Sequence, residues 1–309
     1  MAPVAVVDIG SNSTRLLIAA LDGGLIRELV RRTKVTRLGA GVDASGRLRD
    51  DAIDRVLAVL DRYQDEIDAH GCERAVAVLT SAVRDACNGA ELAALIADRH
   101  RLEAHVLSGD DEARMTFLGA TDERDPEDPV PTLVVDVGGG STELVIGTGT
   151  AVAFHASTQA GVVRQSERHL RLDPPSDMEI EELRQDVRTI LEGAVPARVR
   201  ASVGRGIGVA GTATSLAAIE QRLEPYDPER VHGHVVGAVS IDRILEKLVA
   251  LDLDERRAVT GLHPDRAPTI VAGIVILRES MALFDLDRIE VSEHDILRGA
   301  IRSLISPRL

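Results

Sequence analysis

The sequence predicts an α/β protein built on a duplicated half-domain, and three observations carry that prediction. The first is the stretch Asp136-Val137-Gly138-Gly139-Gly140-Ser141-Thr142-Glu143-Leu144-Val145-Ile146-Gly147. An apolar run from Leu133 drives into an aspartate, then three glycines, two hydroxyls, a glutamate and a second apolar run. This reads as a β-hairpin with a glycine-rich turn. Glycine lets consecutive N–H groups converge on one point and lets a bulky anion approach the backbone. The second observation is that Asp8-Ile9-Gly10-Ser11-Asn12-Ser13-Thr14-Arg15-Leu16-Leu17-Ile18-Ala19 aligns with that stretch without a gap, 128 residues earlier and identical at six of twelve positions. A repeat at that spacing is a duplicated half-domain, not a short solenoid unit. The third is strand–turn–helix alternation at Ala75–Ala86 and Ile207–Leu216, with hydroxyls in each turn.

At 309 residues the chain accommodates one large domain or two of ordinary size, and 44% hydrophobic with 28% charged residues is an ordinary globular balance. No apolar run approaches the ~20 residues of a membrane span. The start, Met1-Ala2-Pro3-Val4, lacks a signal-peptide pattern. Cys72 and Cys87 are the only cysteines, so a reducing cytoplasm is expected and no disulfide framework. The net charge of −14, with three phenylalanines, two tyrosines and no tryptophan, argues against a nucleic-acid partner and offers nothing to a membrane. A polyanionic substrate must then meet local positive charge. Lys34 and Lys247 are the only lysines, and arginine, whose planar fork suits phosphate oxygens, supplies the rest.

Val4 to Asp8 and Thr14 to Leu21 form the first hairpin, followed by a strand around Leu25 to Val35. The strand-end aspartates Asp136 and Asp8 suit Mg²⁺, a hard cation that prefers oxygen. Ser11, Asn12 and Ser13 in one turn, and Gly138, Gly139, Gly140 and Ser141 in the other, present N–H groups, and two facing hairpins make a clamp for phosphates. By strand alternation Arg15 points the same way as Ser13, toward a ligand, unless it is a surface arginine on an edge strand. The polar, glycine-rich loop from Val35 to about Gly46 is expected to lie over the cleft between halves.

Asp51 to Ile67 is helical by spacing. The strand Ala75–Leu79 enters Thr80-Ser81-Ala82-Val83-Arg84, a turn that either presents hydroxyls and N–H groups to an anion with Arg84 closing over it, or merely caps a helix. After a helix at Glu91–Ala97 and a strand at Ala104–Leu107, Ser108-Gly109-Asp110-Asp111-Glu112 opens another helix. Its three carboxylates complement the helix dipole, or Glu112 positions and deprotonates water. The acidic, proline-rich stretch Thr121–Pro131 marks a domain boundary, giving 1–124 and 125–309.

Beyond the second hairpin come a strand at Ala151–Ser157 and a helix carrying Arg164 in its first turn. Asp173-Pro174-Pro175-Ser176 caps the next helix, which runs from about Asp177 toward Arg200 and as far as Pro196. Ile207–Ala210 feeds Gly211-Thr212, a third turn suited to phosphate or nucleotide. His232-Gly233-His234 has no carboxylate beside it in sequence and does not read as a metal pair. Helices at Ile241–Leu251, Asp254–Val259 and Ala267–Phe284, a strand at Arg288–Val291 and a helix at Asp295–Ile305 follow.

The segments DIGSNSTRL (8–16), TRLGAGVD (36–43), TSAVRDA (80–86), SGDDEARM (108–115), DVGGGSTEL (136–144), GVVRQSE (161–167), DPPS (173–176), GVAGTATSLAAI (208–219), YDPERVHG (226–233) and LRGAI (297–301) occur in the order found in one family. On these motifs the chain resembles the Ppx/GppA phosphatases, exopolyphosphatases and guanosine pentaphosphate phosphohydrolases of the actin-like ATPase superfamily. The resemblance implies two ribonuclease-H-like lobes with the active site in a central cleft. It implies a last helix, about 293–309, packed back on the first lobe, and a short form without the helical C-terminal domain of longer members. It assigns Glu112 as the water-activating carboxylate, Asp136 and Glu143 to Mg²⁺ with Asp8 as a further candidate, and Arg84 and Arg15 as helpers of the phosphate-cradling turns. Family members often carry Glu-Glu before Ala-Arg; here it is Asp111-Glu112, which leaves Glu112. The implied activity is hydrolysis of the terminal phosphoanhydride of polyphosphate, of short to medium length in the short form. Alternatives are guanosine pentaphosphate (pppGpp) 5′-phosphohydrolysis or a non-catalytic sensor of either ligand. The family suggests a homodimer.

Overall fold

The computed structural model describes residues 2–23 and 25–305. The chain forms two compact units: residues up to Asp122 together with the segment from Ile296 onward, and Glu123–Asp295. The boundary lies inside the acidic, proline-rich stretch, two residues before the expected one.

In the first unit, β1 (Val4–Ile9), β2 (Ser13–Asp22), β3 (Leu25–Val35), β4 (Arg74–Leu79) and β5 (Glu103–Val106) form one sheet in the order β3-β2-β1-β4-β5. The first three strands are antiparallel neighbours, while β4 and β5 run parallel to β1. β1 is buried throughout, so its apolar run does not alternate with polar residues, as befits a central strand covered on both faces. Alternate side chains go to opposite faces. Ala5, Val7 and Ile9 join Leu16, Ile18, Ala77 and Leu79 beneath the helix Asp50–Ala69. Val4 and Val6 join Leu17, Ala19, Val76 and Val78 beneath Leu297, Ala300 and Ile301 of the helix Ile296–Ile305.

That last helix belongs to the first unit. A Cβ on Gly299 would come within 1.8 Å of the Met115 carbonyl oxygen, so glycine there permits close backbone contact with the helix Gly109–Ala120. Arg298 Nε and Arg302 Nε both donate to the Asp122 carboxylate, at 2.7 and 2.6 Å. The helix starts at Ile296, not near 293, because Ser292 Oγ accepts the His294 N–H and donates to its carbonyl in a tight turn. Residues 306–309 of the expected helix lie outside the described residues.

The second unit repeats the plan. β6 (Thr132–Val137), β7 (Thr142–Thr148), β8 (Ala151–Thr158), β9 (Arg205–Val209), β10 (Val235–Gly237) and β11 (Arg288–Val291) lie in the order β10-β11-β9-β6-β7-β8. Read from the other edge, β8-β7-β6-β9-β11 has the order and strand directions of the first sheet. The ribonuclease-H-like arrangement is therefore present twice, and β10 is an addition too short for an alternating pattern to announce it. The helix Asp177–Ala194, opened by a Ser176/Glu179 capping box, stops before Pro196 and resumes only as the turn Ala197–Arg200, since proline has no N–H to continue the ladder. The buried helix expected from Ala267 begins at Ile270, after a 3₁₀ turn at Pro264–Arg266. No helix among the described residues is long and apolar enough to cross a membrane.

Candidate active site

The turn between β1 and β2 is closed by the Gly10 N–H donating to the Ser13 carbonyl, 3.0 Å. Its other carbonyls face the loop after β3. Asn12 O accepts the N–H groups of Thr36 and Arg37, both at 2.9 Å, and Ser11 O accepts that of Gly39 at 2.8 Å. In a planar trans peptide C=O and N–H point in opposite directions. The N–H groups of Asn12 and Ser13 are therefore aimed away from this loop. Within its own unit, the loop after β3 thus orients the turn. Gly39 permits it, since a Cβ there would sit 2.8 Å from the Ser11 Cβ.

Asp8, 3% exposed, is held by Arg15 through Nε at 2.8 Å and Nη2 at 2.6 Å. Arg15 is thus engaged with its cross-strand neighbour. Ser11 Oγ lies 2.9 Å from Ser81 Oγ, which ties the turn to the strand–turn–helix at Thr80–Arg84. Arg84 Nη1 in turn donates to Glu112 Oε2 at 2.7 Å and to the Leu107 carbonyl at 3.1 Å. Within this unit Asp8 with Arg15, Ser11 with Ser81, and Arg84 with Glu112 are brought into direct contact.

Two of the carboxylates at the start of the helix Gly109–Ala120 have different surroundings. Ser108 Oγ accepts the Asp111 N–H and donates to its carboxylate, so Asp111 completes the cap. Glu112 turns inward, 6% exposed. Burial pushes its carboxyl up from the ordinary value; the Arg84 guanidinium opposes the shift, and the negative charges of Asp8 and Asp85 add to it.

The turn between β6 and β7 is built on the same logic with other parts. Gly138 N–H donates to the Ser141 carbonyl at 3.0 Å. The outward carbonyls meet the start of the helix Val162–His169. Gly138 O accepts the Val162 N–H at 2.9 Å, Gly139 O that of Val163 at 2.8 Å, and Gly140 O accepts Arg164 Nε at 3.0 Å. The same peptide geometry directs the N–H groups of Gly139, Gly140 and Ser141 the opposite way, as an anion cradle requires. Gly161 makes this docking possible, because a Cβ there would lie 2.2 Å from the Gly140 carbonyl carbon. Arg164, half-buried, is lowered from its ordinary pKa by desolvation, with the Arg168 charge adding.

Asp136 and Glu143 are buried and stand directly opposite each other on β6 and β7. Asp136 also neighbours Val209, the last residue of β9. The helix Ala210–Gln221 starts there with Ala210 at φ 59°, a left-handed conformation that is strained for a residue with a Cβ. The Arg266 guanidinium packs directly on Gly211, with Nη1 1.3 Å from where a Cβ would sit. Thr212 is turned onto Gly273, where a Cβ would meet its Oγ1 at 2.5 Å, so its hydroxyl packs inside the unit.

Three of these participants were not legible locally. Ser157 donates to Glu143 Oε1 at 3.0 Å, Arg266 reaches Gly211 from a turn 55 residues later, and Gly161 wedges the glycine turn. Only Gly161 had a signal, as a glycine at the N-cap of the helix Val162–His169. The histidines of His232-Gly233-His234 each find a carboxylate supplied by the fold. His234 Nε2 bonds Glu220 Oε2 at 2.6 Å, and His232 Nε2 faces Glu123 Oε2 at 3.6 Å, its ring 4.2 Å from that of His294. Glu123, His232 and His294 form a cluster of metal-ligating types. However, His232 Nδ1 accepts the Glu293 N–H at 3.2 Å, so a neutral ring carries its proton on Nε2, toward Glu123.

A family model described as the Ppx/GppA phosphatase family matches residues 17–306. Exopolyphosphatase 2 of Mycobacterium tuberculosis is 37% identical over 314 residues, covering 97% of this chain and 98% of that protein. The crystal structure of the Aquifex aeolicus Ppx/GppA family member is 32% identical with a TM-score of 0.83, covering 99% of each chain. The exopolyphosphatase from Cytophaga hutchinsonii has a TM-score of 0.90 at 26% identity, covering 99% of this chain and 98% of its own. With two α/β units of one topology, each carrying a strand-end aspartate beside an N–H-directing turn, the protein is a phosphoanhydride hydrolase. The chain belongs to the Ppx/GppA phosphatase family.

Proposed function

We propose that the protein is an exopolyphosphatase in which Glu112 activates the water that attacks the terminal phosphorus of inorganic polyphosphate. The observation that carries this reading is the Arg84–Glu112 contact at 2.7 Å. It fixes one oxygen of a buried glutamate whose carboxyl is raised above its ordinary value, and a carboxylate moved toward working pH is a better base. Glu112 accepts a proton from the attacking water as the bridging P–O bond breaks, releasing orthophosphate and a polyphosphate one unit shorter. Each turn offers phosphate oxygens its own N–H groups, those of Asn12 and Ser13 in the first unit and those of Gly139, Gly140 and Ser141 in the second.

Asp136 and Glu143 fit Mg²⁺, since opposed carboxylates on neighbouring strands offer oxygen donors only, the set a hard cation prefers. Bound there, the ion supplies charge neutralisation at the phosphoryl oxygens. Asp8 is less suited, because Arg15 already balances its charge. Short to medium chains are the proposed substrates, since a net charge of −14 gives a long polyanion little to follow beyond the turns.

One observation favours a second reading, hydrolysis of the 5′-terminal phosphate of pppGpp. Tyr226 is 48% exposed, and an exposed aromatic ring offers a face on which a purine can stack. Phosphate release with Mg²⁺ from short polyphosphate, long polyphosphate, pppGpp and ATP, at matched terminal-phosphate concentration, separates the readings. Short polyphosphate fastest is the expected result, and pppGpp fastest would favour the second. No release from any of the four by folded protein overturns both in favour of a binding protein.

A further inference from the structure

We propose that Ser157 is a positioning residue, which holds Glu143 so that one chosen carboxylate oxygen faces the glycine turn. This rests on the reading of Glu143 as a Mg²⁺ ligand. The two residues are cross-strand partners on β7 and β8. Ser157 Oγ donates to Glu143 Oε1 at 3.0 Å. The other oxygen, Oε2, lies 3.9 Å from the place a Cβ would take on Gly138. Oε1 is thus engaged away from the turn, while Oε2 is presented at its base, on the strand pair that also carries Asp136.

A glutamate side chain has three rotatable bonds, and burial alone does not choose which oxygen faces inward. A hydroxyl on the neighbouring strand does choose, as outer hydrogen bonds orient the ligands of metal sites. The stretch that follows braces the same turn at successive points. Thr158 Oγ1 donates to the Thr142 carbonyl at 3.0 Å, Thr142 Oγ1 to the Ala160 carbonyl at 2.5 Å, and Val162 and Val163 to the glycine carbonyls. Within this brace, Ser157 is the member whose bond ends on a carboxylate assigned to chemistry. The strand is exposed at Ser157, so removal of its hydroxyl leaves the packing of the unit in place.

The test compares wild type, Ser157→Ala, Ser157→Thr and Glu143→Gln by calorimetric titration with Mg²⁺ in the absence of substrate, alongside Mg²⁺ activation of phosphate release. Ser157→Ala is expected to weaken Mg²⁺ binding and raise the half-activating Mg²⁺ concentration by about tenfold, near the lower end of the range for such partners. KM for polyphosphate at saturating Mg²⁺ stays unchanged, and Ser157→Thr, which keeps the hydroxyl, restores wild-type binding. If Ser157→Ala matches wild type in both titrations while Glu143→Gln is impaired, the positioning role is overturned and the reading of Glu143 survives. If Glu143→Gln also binds Mg²⁺ as wild type does, that reading falls, and the role of Ser157 with it. Equal loss in the Ala and Thr variants would mark a packing effect and likewise overturn the proposal.

Discussion

The two turns share a backbone design and differ in electrostatics. In each, the glycine N–H two residues after the strand aspartate closes the turn, and outside N–H groups draw the carbonyls to one side. In the first copy those outside donors come from a loop, Thr36 to Gly39; in the second they come from the start of a helix, Val162 to Arg164. The decisive difference sits at one aligned position. Opposite Asp8 stands Arg15, and opposite Asp136 stands Glu143. One copy pairs its aspartate with an arginine; the other sets a glutamate opposite it, the pair proposed above to hold a cation. Duplication supplied the shape twice, and a single cross-strand residue separated the roles.

The largest effect is expected where the first unit provides the base. Glu112→Gln should lower kcat by about 10²–10⁴, the usual weight of general-base catalysis, with little change in substrate binding. The same variant tests the raised carboxyl. The folded protein holds the Glu112 proton more tightly than the unfolded chain, whose carboxyl has the ordinary value of 4.5. Its contribution to stability is therefore fully present below pH 4.5 and is lost as pH rises through the raised value. Urea midpoints across that window should slope downward with pH in wild type and flatten in Glu112→Gln.

Next in size is the exchange that erases the difference between the copies. Glu143→Arg gives the second turn the first turn's ion pair, and phosphate release should fall by about 10²–10³, as when an electrostatic stabiliser is lost. Activity retained in that variant would remove Asp136 and Glu143 from the metal's coordination. The converse change acts on stability. Arg15→Met leaves the buried Asp8 carboxylate without its counter-charge and should cost about 3–5 kcal/mol, read by chemical denaturation. The smallest contrast concerns the props. Gly161→Ala drives a Cβ to 2.2 Å from backbone and should cost about 1–3 kcal/mol, whereas Gly39→Ala meets a serine side-chain atom at 2.8 Å and should cost less. Equal costs would mean that loop and helix hold their turns alike.

What the sequence disclosed follows from where the information is local. Strand-end aspartates, glycine spacing and alternation lie within a dozen residues, so both hairpins, the duplication and the candidacy of Glu112 and Asp136 were readable from Asp8–Ala19, Asp136–Gly147 and the 108–115 segment. Division of labour between Asp111 and Glu112 was not, because it depends on Ser108 capping one and Arg84 reaching the other across 28 residues. Arg15 and Arg84, expected to face ligand, are each paired with a carboxylate of their own unit, and only strand register and helix docking reveal such partners. Ser157 stood only at the end of an expected strand, and its partner Glu143 is set by the pairing of β8 with β7. Arg266 and Gly211 met only through tertiary packing.

The closing helix has a consequence for biosynthesis. Glu123–Asp295 is one uninterrupted stretch of chain, whereas the first unit lacks the cover for Val4, Val6, Val76 and Val78 until Ile296–Ile305 has been made. On the ribosome, where domains generally fold as units in the order they emerge, the order here is inverted. The unit begun first is finished last, and its apolar sheet face waits exposed through the translation of the whole intervening unit.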